Sequence, residues 1–244
     1  MMKKTIAVLF GGCSSEHEIS RLSAATILRN LSRDKYDVLS VGITKSGRWF
    51  LTKAAPEQVE NGEWENHPSN CQAFLTPDRS IHGLFLPASG ETVRVDAVIP
   101  ALHGKNGEDG TVQGLLQLSG IPYVGCAALA SAVCMDKAVS HTLLSAAGIG
   151  QAKYLWFYAS DYAEQAAQVR ERIASELGGY PVFVKPANAG SSVGVSRVDR
   201  GDDLDAAVAK AAHEDWRVVI EECITGREVE CAVLGNENPE AALV

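Results

Sequence analysis

The sequence predicts an α/β fold with a mostly parallel sheet, built as an N-terminal domain over residues 1–125 and a second over residues 126–244. Three observations carry this. Short apolar runs alternate with amphipathic helical stretches, the first run passes through a glycine turn directly into a helix, and the texture changes after GIPYVG, at Cys126. With 46% hydrophobic residues, 244 residues can bury one large or two modest cores.

The elements follow in order. TIAVLF (5–10) reads as a buried strand, followed by a glycine turn and EISRLSAATILRNL, whose apolar residues recur at helical spacing. YDVLSVGIT and RVDAVIPAL read as further strands, and DGTVQGLLQLSG as a helix stopped by Gly120. Residues 53–80 are polar and mixed, with Pro56, Pro68 and Pro77, and are expected to be a surface excursion. Beyond Cys126 come the helical stretches AALASAV and DKAVSHTLLSAAG, the strand KYLWFY, the helix YAEQAAQVRERIASELG and the strand PVFVK. A Gly/Ser loop, a strand, the helix DDLDAAVAKAAH and the strands RVVIEEC and REVECAVLG complete the pattern. The closing AALV reads as the start of another strand, which makes the chain an N-terminal piece of something longer.

Charge and cysteine usage narrow the function. The count of 22 Lys plus Arg against 30 Asp plus Glu gives a net charge of −8, and the absence of a dense basic run argues against nucleic acid as a partner. Lysines and backbone N–H groups focused locally still suit a small anion. The apolar run in MMKKTIAVLFGG is too short for a secretory signal, and no stretch reaches the length of a membrane span. Six cysteines without C-x-x-C pairs or zinc spacing read as free thiols in a reducing cytoplasm.

Neither G-x-x-x-x-G-K-[ST] nor G-x-G-x-x-G is present. Taken alone, Lys185 is a solvated strand end and AGSSVG a hairpin turn. In combination, a strand-edge lysine followed by a loop whose glycines allow close approach suits a polyphosphate clamp. Glu221, Glu222 and Glu228 supply acceptors for a nucleoside's hydroxyls and amine, although their spacing alone fits a solvated face. Glu16 can be read as a helix N-terminal acid, favoured by the dipole whatever the ligand, and His103 as turn packing.

Five segments in order carry a resemblance: LFGGCSSEHEIS (9–20), ALHGKNGEDGTVQGLLQLSGIPYVG (101–125), MDK (135–137), VFVKPANAGSSVGVS (182–196) and IEECITGREVECAVLG (220–235). Together they closely resemble the D-alanine–D-alanine ligase family of the ATP-grasp fold, over essentially the whole chain. The resemblance implies a substrate-side preATP-grasp domain followed by an ATP-grasp region that is incomplete at its C-terminal end. It places Lys137 and Lys185 on ATP phosphates, and Ser191 and Ser192 in a loop that closes over them. Glu221 and Ile224 line the adenine pocket in this comparison, and Glu228 takes the ribose. Glu16 holds the ammonium of the first D-amino acid, with His103 near its carboxylate, and Glu16 and Ser191 are the catalytic positions.

The implied reaction activates one D-alanine as an acyl phosphate, from which the amine of a second displaces phosphate to form D-alanyl-D-alanine for peptidoglycan precursors. It requires ATP and Mg²⁺, with the metal ligands expected beyond Val244. A cytoplasmic homodimer is expected, without membrane or nucleic-acid partners. His17, where ordinary ligases commonly carry arginine, resembles the vancomycin-resistance branch, whose product is D-alanine–D-lactate or D-alanine–D-serine. Another ATP-grasp carboxylate–amine ligase and a non-catalytic truncated fragment are the remaining alternatives.

Overall fold

The computed structural model describes residues 3–242, so Leu243 and Val244 of the AALV stretch lie outside the described residues. The chain opens with β1 (Lys4–Gly11), α1 (His17–Asn30), β2 (Tyr36–Ile43), β3 (Trp49–Thr52), α2 (Pro56–Asn61) and β4 (Cys71–Gln72). β5 (Phe74–Leu75), β6 (Gly83–Leu86) and β7 (Glu91–Arg94) form a small antiparallel sheet before β8 (Ala97–Pro100), α3 (Thr111–Ser119), α4 (Ala128–Met135) and α5 (Lys137–Ala146). The remainder is β9 (Tyr154–Tyr158), α6 (Tyr162–Glu176), β10 (Val182–Pro186), β11 (Ser196–Val198), α7 (Leu204–Glu214), β12 (Arg217–Glu222), β13 (Val233–Leu234) and β14 (Glu240–Ala241).

The first large sheet runs β4-β3-β2-β1-β8, parallel at β1–β2 and β1–β8 and antiparallel at β2–β3 and β3–β4. β1 is buried from Ile6 to Gly11, as its unbroken apolar run requires of a strand covered on both faces. One face holds Leu9, Val41, Val98 and Leu116. The other holds Val8, Phe10, Leu28 and Trp64.

The parallel pairs lie in the N-terminal sheet, as expected, whereas in the second large sheet, β11-β10-β12-β9, every pairing is antiparallel. The alternation of strand and helix is real, yet each helical crossover skips a place. β9 and β10, joined by α6, are parallel to each other with β12 inserted between them. β11 and β12, joined by α7, are likewise separated by β10. Val182, Val184, Val218 and Ile220 face α6 and α7 in one core. On the opposite face Val219 packs against Ala138 of α5 and Ala187.

Three expectations change. RVDAVIPAL is not one strand: Arg94 closes β7 in the small sheet and Ala97 opens β8 in the first, while the Asp96 carboxylate between them accepts from Thr5 N–H at 2.9 Å. REVECAVLG pairs only through Val233 and Leu234, both exposed, because no buried face fixes the rest of the segment. Residues 53–80 are more than a surface excursion, since Trp64 within them is fully buried edge-on against Phe10, with centroids 5.0 Å apart. Gly42 makes the room: a Cβ there would collide with the indole.

Trp64→Ala is expected to cost about 3–5 kcal/mol, as for other buried aromatic truncations, read as a lowered midpoint in urea unfolding.

Candidate active site

Loops leaving the carboxyl ends of β1, β2 and β8 converge at one end of the first sheet, where open α/β sheets hold their ligands. Gly11 and Gly12 turn the chain with φ of 87° and 96°; a Cβ at Gly11 would strike the Ile43 carbonyl, so only glycine fits. Ser20 on α1 fastens the turn, accepting from Gly11 N–H at 2.8 Å and donating to the Ala101 carbonyl at 2.5 Å. His17 is fully buried, its Nδ1 2.8 Å from the Gly12 carbonyl and its Nε2 3.5 Å from Glu65.

Glu16 occupies the N-cap position of α1, but its side chain makes no capping hydrogen bond. The buried carboxylate turns instead toward the Gly/Ser loop and accepts a short hydrogen bond from Ser191 Oγ. Gly104 and Gly190 leave space for it, since a Cβ at either position would crowd its oxygens. His103 stands beside this group at the end of β8, with Nε2 2.9 Å from Ser23 Oγ and Nδ1 3.8 Å from Glu108. A cavity of about 200 Å³ lined by Ser14, Glu16, Lys105, Asn188 and Gly190 lies between the two large sheets' loops.

The second half of the site lies on the α5-covered face of the antiparallel sheet. Lys185 and Glu221 sit diagonally on neighbouring strands, with Phe183 directly opposite Glu221, so both side chains project to the same face. Their ion pair measures 2.5 Å. Burial alone would raise the Glu221 carboxyl, yet hydrogen bonds from Lys185 and His141 outweigh it and hold the group below its usual range. Lys137 opens α5 and donates to the Ala189 carbonyl at 2.6 Å. Burial first, and the Lys185 charge second, push its ammonium below the ordinary lysine value. The two lysines, Ser191, Ser192 and Glu228 line a cavity of about 440 Å³.

The loop between β10 and β11 connects a true hairpin and also forms a wall of this cavity. Ser191 and Ser192 take left-handed backbone, with φ of 45° and 58°. Non-glycine residues adopt that region at a cost, and here it aims the first hydroxyl at Glu16.

Two profiles describe the chain: D-ala D-ala ligase N-terminus matches residues 5–126 and D-ala D-ala ligase C-terminus matches residues 143–244. The chain belongs to the D-alanine–D-alanine ligase family. It is 48% identical over 239 residues to the D-alanine–D-alanine ligase of Caldicellulosiruptor bescii, covering 97% of this chain and 65% of that protein. Among solved structures it is similar to the VanG D-Ala:D-Ser ligase from Enterococcus faecalis, with TM-score 0.88, 42% identity and coverage of 98% and 68%. The D-alanine–D-alanine ligase from Coxiella burnetii gives TM-score 0.87, 36% identity and coverage of 98% and 69%. The chain thus spans about two thirds of the length of the relatives it matches.

Within this family member, Lys137, Lys185, Ser191, Ser192 and Glu228 meet around one cavity, with Glu221 paired to Lys185 beside it and Glu16 and His103 at the adjoining sheet end. Ile224 is exposed and outside the cavity lining. Residues that sequence reasoning passed over are Asp136 and Arg217, a largely buried ion pair behind the lysines, and His141 with Gln151 beside Glu221. Asp136 stands in the MDK motif, but no local pattern marks these pairings, because the partners lie 81, 10 and 80 residues away.

Asp136 both pairs with Arg217 and caps α5 by accepting from Val139 N–H at 3.1 Å. Asp136→Ala should cost about 3–5 kcal/mol by stranding the guanidinium and removing the cap. Asp136→Asn, which keeps a capping oxygen, should cost less in the same urea titration.

Proposed function

We propose that the protein acts as an ATP-dependent carboxylate–amine ligase that joins two D-alanines into D-alanyl-D-alanine. Family membership supports the reaction class. The observation that carries the assignment of residues is the Ser191–Glu16 hydrogen bond, which makes one loop both the wall of the lysine cavity and the partner of the buried carboxylate. A phosphate-binding site and an ammonium-binding site thereby share an edge.

In this reading Lys137 and Lys185 neutralise the triphosphate, and Ser191, Ser192 and the neighbouring N–H groups cover it. Glu228 takes the ribose, while Glu221 lies toward the base. Glu16 fixes the first D-alanine by its ammonium, with His103 near its carboxylate. The carboxylate then attacks the terminal phosphorus, the bond to the bridging oxygen breaks and ADP leaves; the amine of the second substrate attacks the acyl phosphate, releasing phosphate and a proton as the peptide bond forms. The loop excludes water, which would otherwise hydrolyse that intermediate. Among the described residues no group of three or more His, Cys, Asp or Glu side chains could hold a metal ion.

The likeness to the VanG D-Ala:D-Ser ligase makes D-serine the alternative second substrate. Either product would serve peptidoglycan precursors. Among the described residues no helix is long and apolar enough to cross a membrane. The proposal places the division between domains at 125/126 and the protein in the cytoplasm as a homodimer.

Two measurements test this on the full-length protein. Lys185→Ala should weaken ATP by about 1–3 kcal/mol in calorimetric titration, the worth of a charge-assisted phosphate contact; equal affinity removes Lys185 from the site. Glu16→Gln should raise the D-alanine requirement at the first site about tenfold or more and leave ATP binding nearly intact. Unchanged steady-state kinetics for both D-alanine sites would exclude Glu16 from substrate binding.

A further inference from the structure

His141, on α5, stands behind the Lys185–Glu221 pair. Its ring is stacked on Tyr154 from β9, with centroids 4.2 Å apart and planes 13° apart. Nδ1 lies 2.6 Å from the Gln151 carboxamide oxygen, and Nε2 lies 3.0 Å from Glu221 Oε1. The far end of Gln151 fixes the orientation of that amide: its nitrogen donates to the His141 carbonyl at 2.8 Å and to Ser145 Oγ at 2.6 Å. The amide oxygen must therefore face the ring.

Both ring nitrogens then face oxygen acceptors. A neutral imidazole donates from only one nitrogen, so satisfying both contacts requires the imidazolium. The His141 and Glu221 side chains are each only 13% exposed, and a lone pair held against a carboxylate there would be costly.

The consequence falls on Lys185, which pairs with the other Glu221 oxygen. Were Lys185 the sole counter-ion, its transfer to a phosphate would leave a partly buried carboxylate uncompensated. We propose that His141 is a positioning residue of the nucleotide site: as imidazolium it neutralises Glu221 and so releases Lys185 to a phosphate oxygen of a nucleoside triphosphate. This rests on the nucleotide reading above. The charged groups around the ring are Glu221 from β12, Lys185 from β10 beyond it and Lys137 one turn earlier on α5; Tyr154, Gln151 and Ser145 complete the surroundings. Lys137 and Lys185 crowd each other here, and an incoming phosphate relieves both.

The test titrates ATP with magnesium into the full-length protein, His141→Gln and His141→Lys under one set of conditions, with thermal melts to establish that each is folded. His141→Gln should bind about 5- to 10-fold more weakly than wild type, and His141→Lys, whose charge replaces the imidazolium, should restore most of that loss. His141→Gln binding as tightly as wild type, or His141→Lys binding no better than His141→Gln, would sink the role of His141 while leaving the nucleotide site standing. Failure of folded wild type to bind ATP sinks the nucleotide reading and this proposal with it. Ring ¹⁵N shifts of His141 in the ligand-free protein give a readout independent of ATP: two protonated nitrogens are expected, and a neutral ring overturns the proposal.

Discussion

Asp136 is the residue on which the geometry of the lysine cavity depends. Its side chain caps α5 and pairs with Arg217 of β12, while its backbone bridges to Asn188 at the start of the Gly/Ser loop. Helix, strand and loop are thus tied at one small, nearly buried carboxylate. Lys137 follows it directly, and its backbone N–H donates to the Ala187 carbonyl at 2.9 Å. Asp215 braces the same loop by accepting from Asn188 N–H at 2.9 Å, with its carboxyl raised above the usual range mainly by burial. A buried pair of this kind is weak evidence for added stability but strong evidence for fixed position, because either partner left alone is heavily penalised.

From that anchor the site spreads in two directions. Toward β10 and β12, diagonal cross-strand placement brings Lys185 to Glu221, and the covering helix supplies Lys137 and His141. Toward the first sheet, the loop carries Ser191 over to Glu16. The two halves differ in electrostatic character. The lysine cavity gathers cations against Glu221, whereas Glu16 offers a carboxylate whose one short contact is a neutral hydroxyl. In the function proposed above, a triphosphate on the first side would meet the carboxylate of an amino acid held by its ammonium on the second.

Backbone conformation makes the juxtaposition possible. Gly11 and Gly104 use positive φ where a Cβ would strike neighbouring atoms, Gly12 uses it without such a clash, and Ser191 and Ser192 accept the same region without being glycine. The strain at the two serines is located at the loop position that bridges the two sheets, in keeping with a segment held by what it touches rather than by its own preference.

Hydrophobic periodicity and glycine stops are local, so the strands and helices were legible in the string: β1, α1, β2, α3 and the β9-to-β12 series all occupy the stretches that their patterns mark. Glu16, Lys137, Lys185 and the serine loop also stand in motifs that can be read there, and the structure places them around neighbouring cavities. The antiparallel order of the second sheet is visible only in three dimensions, because a crossover that skips a strand has the same local signature as one that does not. Only the tertiary structure buried Trp64 inside a polar segment and brought His141, Gln151, Asp136 and Arg217 to the lysines. The physical reason is shared. A side chain's charge and protonation are set by partners in space, and the partners of Asp136 and His141 come from strands more than 70 residues further along the chain.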